Sequence, residues 1–237
     1  DPSLALLTNA TLHPLKDGTT TLKIDYRGLT TKIPVTVKDA EKERPISFQL
    51  DVMPVLTSSG CNTGSCHGSA RGQDGFHLTL YGFDPEGDHF RLTREMAGRR
   101  INLALPESSL LLTKAVGHVP HTGGKLFEKD SANYQTLLKW IQAGAKYDEG
   151  EIPEPTGITI EPPQLVMKGS DLEIPMTVRA TYSDGTDRDV STLSSYSTSN
   201  HNSAPSGELT GLATSKNRGE AFLLARFHTF TEGSQAI

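Results

Sequence analysis

The chain has 237 residues, of which 35% are hydrophobic, with 22 glycines, 14 prolines and a formal net charge of −5. This composition is typical of a loop-rich, partly β-structured protein of two or three domains. The negative charge argues against a nucleic-acid partner, and no apolar run in the sequence is long enough to span a membrane. The start at Asp1 does not resemble a native one, so we expect a mature chain or a piece of a larger polypeptide.

The first forty residues are predicted to form β-strands. Leu22 and Ile24 alternate with polar neighbours, Arg27-Gly28 predicts a turn, and residues 33–37 alternate again. Large apolar side chains are too few here to close a sandwich alone. We therefore interpret residues 1–40 as a hairpin or as the last strands of a partial β domain, followed by a charged linker at 38–45.

From residue 46 the spacing of apolar residues becomes helical. Ser47 is a predicted N-cap for a helix that carries Phe48 and Val52 on one face and ends at Gly60. Three further helices and one short strand are predicted, over residues 88–97, 110–115, 133–143 and 76–80 respectively.

The only two cysteines, Cys61 and Cys66, stand just after the first helix, and His67 follows the second directly. A Cys…Cys-His run is typical of covalent haem attachment, in which two thiols add to porphyrin vinyl groups and the imidazole binds the iron as proximal ligand. The usual motif has two residues between the cysteines, whereas here residues 62–65 must loop outward, which Gly64 permits. A disulfide, or a zinc site that needs a further ligand, is the alternative interpretation.

The sixth position of such an iron would be filled by His or Met, or would stay open to small ligands. His121 is the first choice, because it follows a proline in a Gly-rich loop before the last predicted helix. His118 and Met53 are the alternatives. Arg99 and Arg100 are expected to pair with the haem propionates, since a guanidinium binds a carboxylate bidentately.

The last third of the chain is again predicted to be strand-rich. A Pro-containing linker at 151–155 is followed by alternating stretches between 158 and 182, a hairpin signal at 183–186 and a late strand at 221–227. Short strands with regular turn signals predict an antiparallel β-sandwich over residues 156–237.

These stretches carry a family resemblance. Residues 46–147 resemble the cytochrome c-like domain of large exported planctomycete proteins, residues 156–237 a bacterial Ig-like domain (group 2), and residues 1–38 the end of another. The matching stretches of the cytochrome-like part are residues 48–56, 60–68, 75–80, 98–100, 109–115 and 119–124.

The resemblance implies a multi-domain α+β fold: a partial Ig-like domain at 1–40, a small, mostly α-helical cytochrome c-like domain at 45–148, and an antiparallel Ig-like sandwich at 156–237. It also implies one covalently attached haem c with its iron, bound through a widened Cys-x4-Cys-His motif. The protein would then be periplasmic or exposed on the cell surface.

Three functions are compatible with these residues. The first is electron transfer to an unknown redox partner protein. The second is binding or sensing of small ligands by a haem with an open or weak sixth site. The third is a structural or adhesive role in which Cys61 and Cys66 form a disulfide. An enzyme has the least support, because no catalytic triad, carboxylate pair or phosphate-binding loop stands out.

Overall fold

The computed structural model describes residues 1–8, 11–42, 44–205 and 211–237. Glu43, in the predicted charged linker, lies outside the described residues. The chain divides into two compact units, Asp1–Pro45 and Ile46–Ile237.

The first unit consists of two antiparallel hairpins. Their strands are β1 (Ala5–Thr8), β2 (Thr11–Pro14), β3 (Gly18–Tyr26) and β4 (Leu29–Val37). Arg27 and Gly28 connect β3 to β4 with positive φ angles of 49° and 83°, the backbone that a tight hairpin turn requires. The predicted turn and its two strands are therefore present. Val37 is the one described hydrophobic residue of this unit that is buried.

The second unit begins with the helices. A π-helical turn (Phe48–Val52) runs into α1 (Met53–Ser58), and it is followed by α2 (Pro85–Thr93), α3 (Leu110–Ala115) and α4 (Ala132–Gln142), with short 3₁₀ turns at Leu80–Gly82 and Pro106–Ser108. The Ser47 hydroxyl accepts a hydrogen bond from the Leu50 amide, and the Ser131 hydroxyl caps α4 in the same way at Tyr134. Throughout the described ranges, no helix is both long and apolar enough to cross a membrane.

The expected fold class, with a mostly α-helical cytochrome c-like domain at 45–148, is wrong. The four α-helices have only 6, 9, 6 and 11 residues, and the described residues as a whole form thirteen strands against these four helices. Glycines with positive φ stand two residues after α1, α3 and α4, where they stop the helix; these are Gly60, Gly117 and Gly144. Long loops therefore take the place of helix in this region.

The strand predicted over residues 76–80 does not form either. A single β-bridge joins Gln73 to Phe76, and the amide of Leu78 bonds the carbonyl of His67 at 2.8 Å. Leu78, one of the alternating apolar residues that predicted this strand, is instead a fully buried residue of a loop.

The rest of the second unit is β-structure in three sheets. The four-stranded sheet has the order β10-β12-β13-β6, the three-stranded sheet has the order β5-β8-β9, and β7 pairs with β11. The strands are β5 (Pro155–Glu161), β6 (Gln164–Leu165), β7 (Glu173–Pro175), β8 (Thr177–Tyr182), β9 (Asp187–Asp189), β10 (Ser195–Thr198), β11 (Leu212–Thr214), β12 (Ala221–Phe227) and β13 (Phe230–Ala236). This strand content is compatible with an Ig-like sandwich, but β6 and β13 pair in parallel, so the expectation of a purely antiparallel sandwich is corrected.

One ion pair joins the helices to these sheets at the π-helical turn. Because Pro54 has no N–H, it cannot donate the usual helical hydrogen bond to the carbonyl of Leu50, four residues earlier. The side chain of Arg188 donates to that carbonyl at 3.4 Å and to the buried carboxylate of Asp51 at 2.7 Å. Hydrophobic residues from both parts also form one continuous core. Residues 46–237 are therefore held together by apolar packing and by a largely buried charge pair.

Candidate functional site

A cavity of about 90 Å³, open to solvent, lies among the helices of the second unit. This volume is below the roughly 300–1,000 Å³ of typical small-molecule and cofactor pockets, so a large ligand would have to move its walls apart. Its walls are mainly apolar and come from α1, α2, α3, α4 and the loops between them; they include Leu56, Phe76, Leu78, Leu92, Leu110, Leu111, Ala115, Leu126, Phe127 and Leu137. The polar residues of the lining include Cys61, His67, Arg99, Arg100 and His121. The structure thus brings five of the predicted site residues to one apolar cavity.

The segment with the cysteines continues directly from α1. The amide of Cys61 bonds the carbonyl of Leu56, and the amide of His67 bonds the carbonyl of Cys61 at 3.0 Å, which closes a compact loop. A Cβ atom at Gly68 would lie 2.0 Å from the carbonyl oxygen of Asn62. Only glycine allows this approach, so the loop depends on Gly68 more than on the predicted Gly64, whose Cβ would meet nothing closer than 3.9 Å.

His67 is held at the cavity by one of its two ring nitrogens. Its Nδ1 lies 3.0 Å from the carbonyl oxygen of Phe76, and its ring centroid is 4.6 Å from the ring of Phe76. A carbonyl can only accept, so Nδ1 carries the proton and Nε2 is left as a ligand atom. Burial lowers the pKa of His67, and the bond to Phe76 opposes this effect. The neutral imidazole that metal binding requires is therefore favoured.

His121 lies on the same cavity, close to His67. The two ring centroids are 6.1 Å apart, and the ring planes differ by 11°. That separation is too large for direct ring contact and leaves space between the two nearly parallel rings. The Nδ1 atom of His121 lies 3.4 Å from the Gly124 carbonyl, so Nε2 is again the nitrogen without this contact.

The two cysteines are free thiols rather than a disulfide. Cys61 lines the cavity, and burial, reinforced by the nearby Cys66, raises the pKa of its thiol to about 12. Cys66 is half-buried and is not among the lining residues. Of the two thiols, Cys61 therefore lines the cavity, whereas Cys66 lies elsewhere in the same loop.

The two predicted arginines have different surroundings. Arg99 is exposed while it contributes to the lining. Arg100 is buried, and its guanidinium binds the carbonyls of Arg91 and Gly75 and the carboxylate of Glu95. Of the two, Arg99 is the one whose exposure leaves it suited to a carboxylate of a bound ligand.

The alternative ligands do not line the cavity. Met53 is buried in α1, and its terminal methyl lies close to Gly82. His118 is exposed. The structure thus places His121, but neither of these, together with His67.

Two functional residues were not identified from the sequence. Phe76 was assigned to a strand, yet its carbonyl is the hydrogen-bond partner of His67. Lys114 on α3 adds a cation to the lining beside Arg99. The only signal for either residue was its place in a stretch that carries the resemblance, 75–80 for Phe76 and 109–115 for Lys114.

The chemistry of these residues fits a haem better than a zinc ion. Zinc in a structural site takes four protein ligands, and among the described residues no group of three or more His, Cys, Asp or Glu side chains comes together. A haem needs only axial ligands for its iron, a large apolar space and cations for its carboxylates. No family model matches the chain, and no curated protein matches it.

Proposed function

We propose that the chain is a c-type haem module that transfers electrons, with Cys61 and Cys66 as attachment residues and His67 as proximal ligand. His121 is the sixth ligand in this proposal. The observation that carries it is the pair of nearly parallel imidazoles, 6.1 Å apart, at an apolar cavity that Cys61 also lines. A haem held there would supply one-electron redox chemistry.

The residues of the chain would do the following. Cys61 and Cys66 would hold the haem through thioether bonds, formed by addition of each S–H across a vinyl double bond without an external oxidant or reductant. His67 and His121 would hold the iron through Nε2, since their Nδ1 atoms face the carbonyls of Phe76 and Gly124. Arg99 and Lys114 neutralise carboxylates, and the leucine walls exclude water.

An exported location belongs to the same proposal, because thioether attachment takes place outside the bacterial cytoplasm. The planctomycete cytochrome-like resemblance supports both points through the Cys-x4-Cys-His motif. The partner is an unidentified redox protein. Two imidazoles favour ferric iron relative to a His/Met pair, so we expect a low reduction potential.

Mass spectrometry after denaturation tests the attachment. The chain is produced in a bacterial host with the machinery for haem attachment, and we expect the mass to rise by one haem. Replacing both Cys61 and Cys66 by alanine should abolish that increase, while Ser65→Ala, in the same loop, should leave it intact. Colourless wild-type protein with a Cys61–Cys66 disulfide would overturn the proposal and favour the structural role.

Absorption spectra of the oxidised and reduced protein test the sixth ligand. His121→Ala should lose the low-spin signature, whereas Met53→Ala and His118→Ala should retain it. Loss of that signature in Met53→Ala alone would assign the position to Met53 instead.

Small-ligand binding is the second candidate, and the setting of His121 favours it. This half-buried residue is held by one long contact of 3.4 Å, so an added ligand could displace it. Rapid CO binding by the reduced wild-type protein at neutral pH would favour sensing over electron transfer.

A further inference from the structure

The guanidinium of Arg100 is buried and makes contacts in several directions. Its Nη1 donates to the carbonyl of Arg91 at 2.7 Å, and its Nη2 donates to the carbonyl of Gly75 at 3.0 Å and lies 3.1 Å from a carboxylate oxygen of Glu95. The side chain is only 7% exposed. The planar group with its fixed donors is thus immobilised on three backbone or side-chain acceptors.

The same group lies over the ring of Phe76. The distance from Cζ of Arg100 to the ring centroid is 4.4 Å, which is within the range of a cation–π interaction. Arg100 therefore holds both the residue that precedes Phe76, through the Gly75 carbonyl, and the Phe76 side chain.

Phe76 in turn holds His67 twice. Its carbonyl accepts the Nδ1 proton, and its ring is 4.6 Å from the imidazole ring. The Phe76 carbonyl also accepts the amide of Gln73 at 2.9 Å, so the acceptor has a fixed direction. A continuous set of contacts thus runs from the buried guanidinium to the imidazole.

We propose that Arg100 is a positioning residue for His67, which fixes the Gly75–Phe76 backbone so that the imidazole keeps its proton on Nδ1 and presents Nε2 as the ligand atom. The significance of this arrangement for haem rests on the proposed function. The role is distinct from propionate binding, because the donors of Arg100 are already engaged with protein acceptors.

Arg99→Gln is a matched control for Arg100→Gln. Both variants remove one positive charge from the lining of the same cavity, but only Arg100 contacts Gly75 and Phe76. A change that appears in Arg100→Gln alone therefore reflects a loss of His67 positioning rather than the loss of a positive charge.

The readout is the ring proton of His67, observed by ¹H–¹⁵N NMR on the full chain at pH 8. It is followed in protein made without haem and, separately, in the reduced haem-loaded protein. Wild type in both states, and Arg99→Gln in the haem-free state, where Arg99 has no haem carboxylate to bind, should show one tautomer with a slowly exchanging Nδ1 proton. Arg100→Gln should show a mixture of tautomers and exchange that is faster by about tenfold or more, the scale on which outer partners of metal ligands act.

A second variant protects the test against misfolding. Phe76→Leu keeps the carbonyl and removes only the cation–π contact, so we expect a smaller acceleration of exchange. The inference is overturned if the His67 ring proton exchanges at the same rate in Arg100→Gln as in Arg99→Gln. If Arg100→Gln does not fold, an exchange rate in Phe76→Leu equal to that of wild type overturns it instead. If wild-type protein never acquires haem, the proposed function fails, yet the haem-free spectra still decide the role of Arg100.

Discussion

The two sides of the cavity are built differently. On the side of His67, a compact loop, the Phe76 carbonyl at 3.0 Å and the buried Arg100 hold the imidazole. On the other side, His121 belongs to a Gly-rich loop with three exposed neighbours, Thr122, Gly123 and Gly124, and its Nδ1 has one contact of 3.4 Å.

Under the proposed function, this difference predicts a permanent and an exchangeable ligand position. A side chain fixed by several partners costs little further ordering when it binds, whereas a loosely held one can leave at a modest cost. The chain would thus combine one rigid ligand with one that another molecule could replace. The predictions that follow separate the two sides, beginning with the largest expected effect.

Replacing His67 and replacing His121 should lower the haem content per chain to different extents. We expect His67→Ala to lower the yield of correctly coordinated haem by more than about tenfold, since loss of a ligand exceeds the cost of losing an outer partner. His121→Ala should keep its haem but become high-spin. Haem content per chain and absorption spectra measure both effects, and equal losses in the two variants would remove the distinction.

Alanine at two glycines of the cysteine loop tests the rigidity of the first side. The Cβ of Gly68→Ala would lie 2.0 Å from the backbone of Asn62, so we expect the free energy of unfolding to fall by about 1–3 kcal/mol or more. Gly64→Ala meets nothing closer than 3.9 Å and should stay within about 0.5 kcal/mol of wild type. Urea unfolding of the haem-free chain measures both values, and a stable Gly68→Ala variant would contradict the described loop.

Gly123→Ala tests how readily the His121 ring can move on its side of the cavity. Its Cβ would lie 2.9 Å from Cε1 of His121, and the ring, as the end of a side chain, can move away. We expect unchanged unfolding but a weaker sixth ligand, with an effect of roughly 5- to 150-fold on the population of the six-coordinate form. CO titration of the reduced protein measures this, and wild-type affinity would show that His121 is not a ligand or is not displaced.

The thiol of Cys61 gives the smallest predicted effect, which concerns only reactivity. Its pKa is raised to about 12, chiefly by burial, so the reactive thiolate is scarce at pH 8 and increases as the pH rises. We expect iodoacetamide to modify Cys61 in folded, haem-free Cys66→Ala protein more slowly than in urea by about tenfold or more. Equal rates would show that the thiol is not buried.

Local signals predicted the parts of the site that lie within short stretches. The Cys61-to-His67 motif, the cap Ser47 and the position of His121 before the last helix all depend on neighbours in sequence. Helix α3 has the predicted bounds, and α4 begins and ends one residue earlier than predicted.

Long-range contacts were not predictable in the same way. Arg100 was expected to face a carboxylate of a ligand, but its partners are the carbonyls of Arg91 and Gly75, the latter 25 residues away. The mostly helical domain was expected from the family resemblance, whereas the helices that the sequence itself predicted are short and are joined by long loops. Likewise, the amide of Leu78 bonds the carbonyl of His67 in the cysteine loop rather than a neighbouring strand.

The ion pair between Asp51 and Arg188 has a practical consequence for dividing this protein into fragments. A fragment that stopped in the linker near residue 150 would retain Asp51 but lose Arg188, which lies 2.7 Å from its carboxylate. The carboxylate, 2% exposed, would keep the Ser47 amide as a donor at 2.8 Å but lose the charge of Arg188. The carbonyl of Leu50 would lose the contact with Arg188 at the same time. A fragment cut at the boundary that the sequence suggests would therefore lack one support of the helix that leads into Cys61, and we expect it to be less stable than the same residues in the full chain.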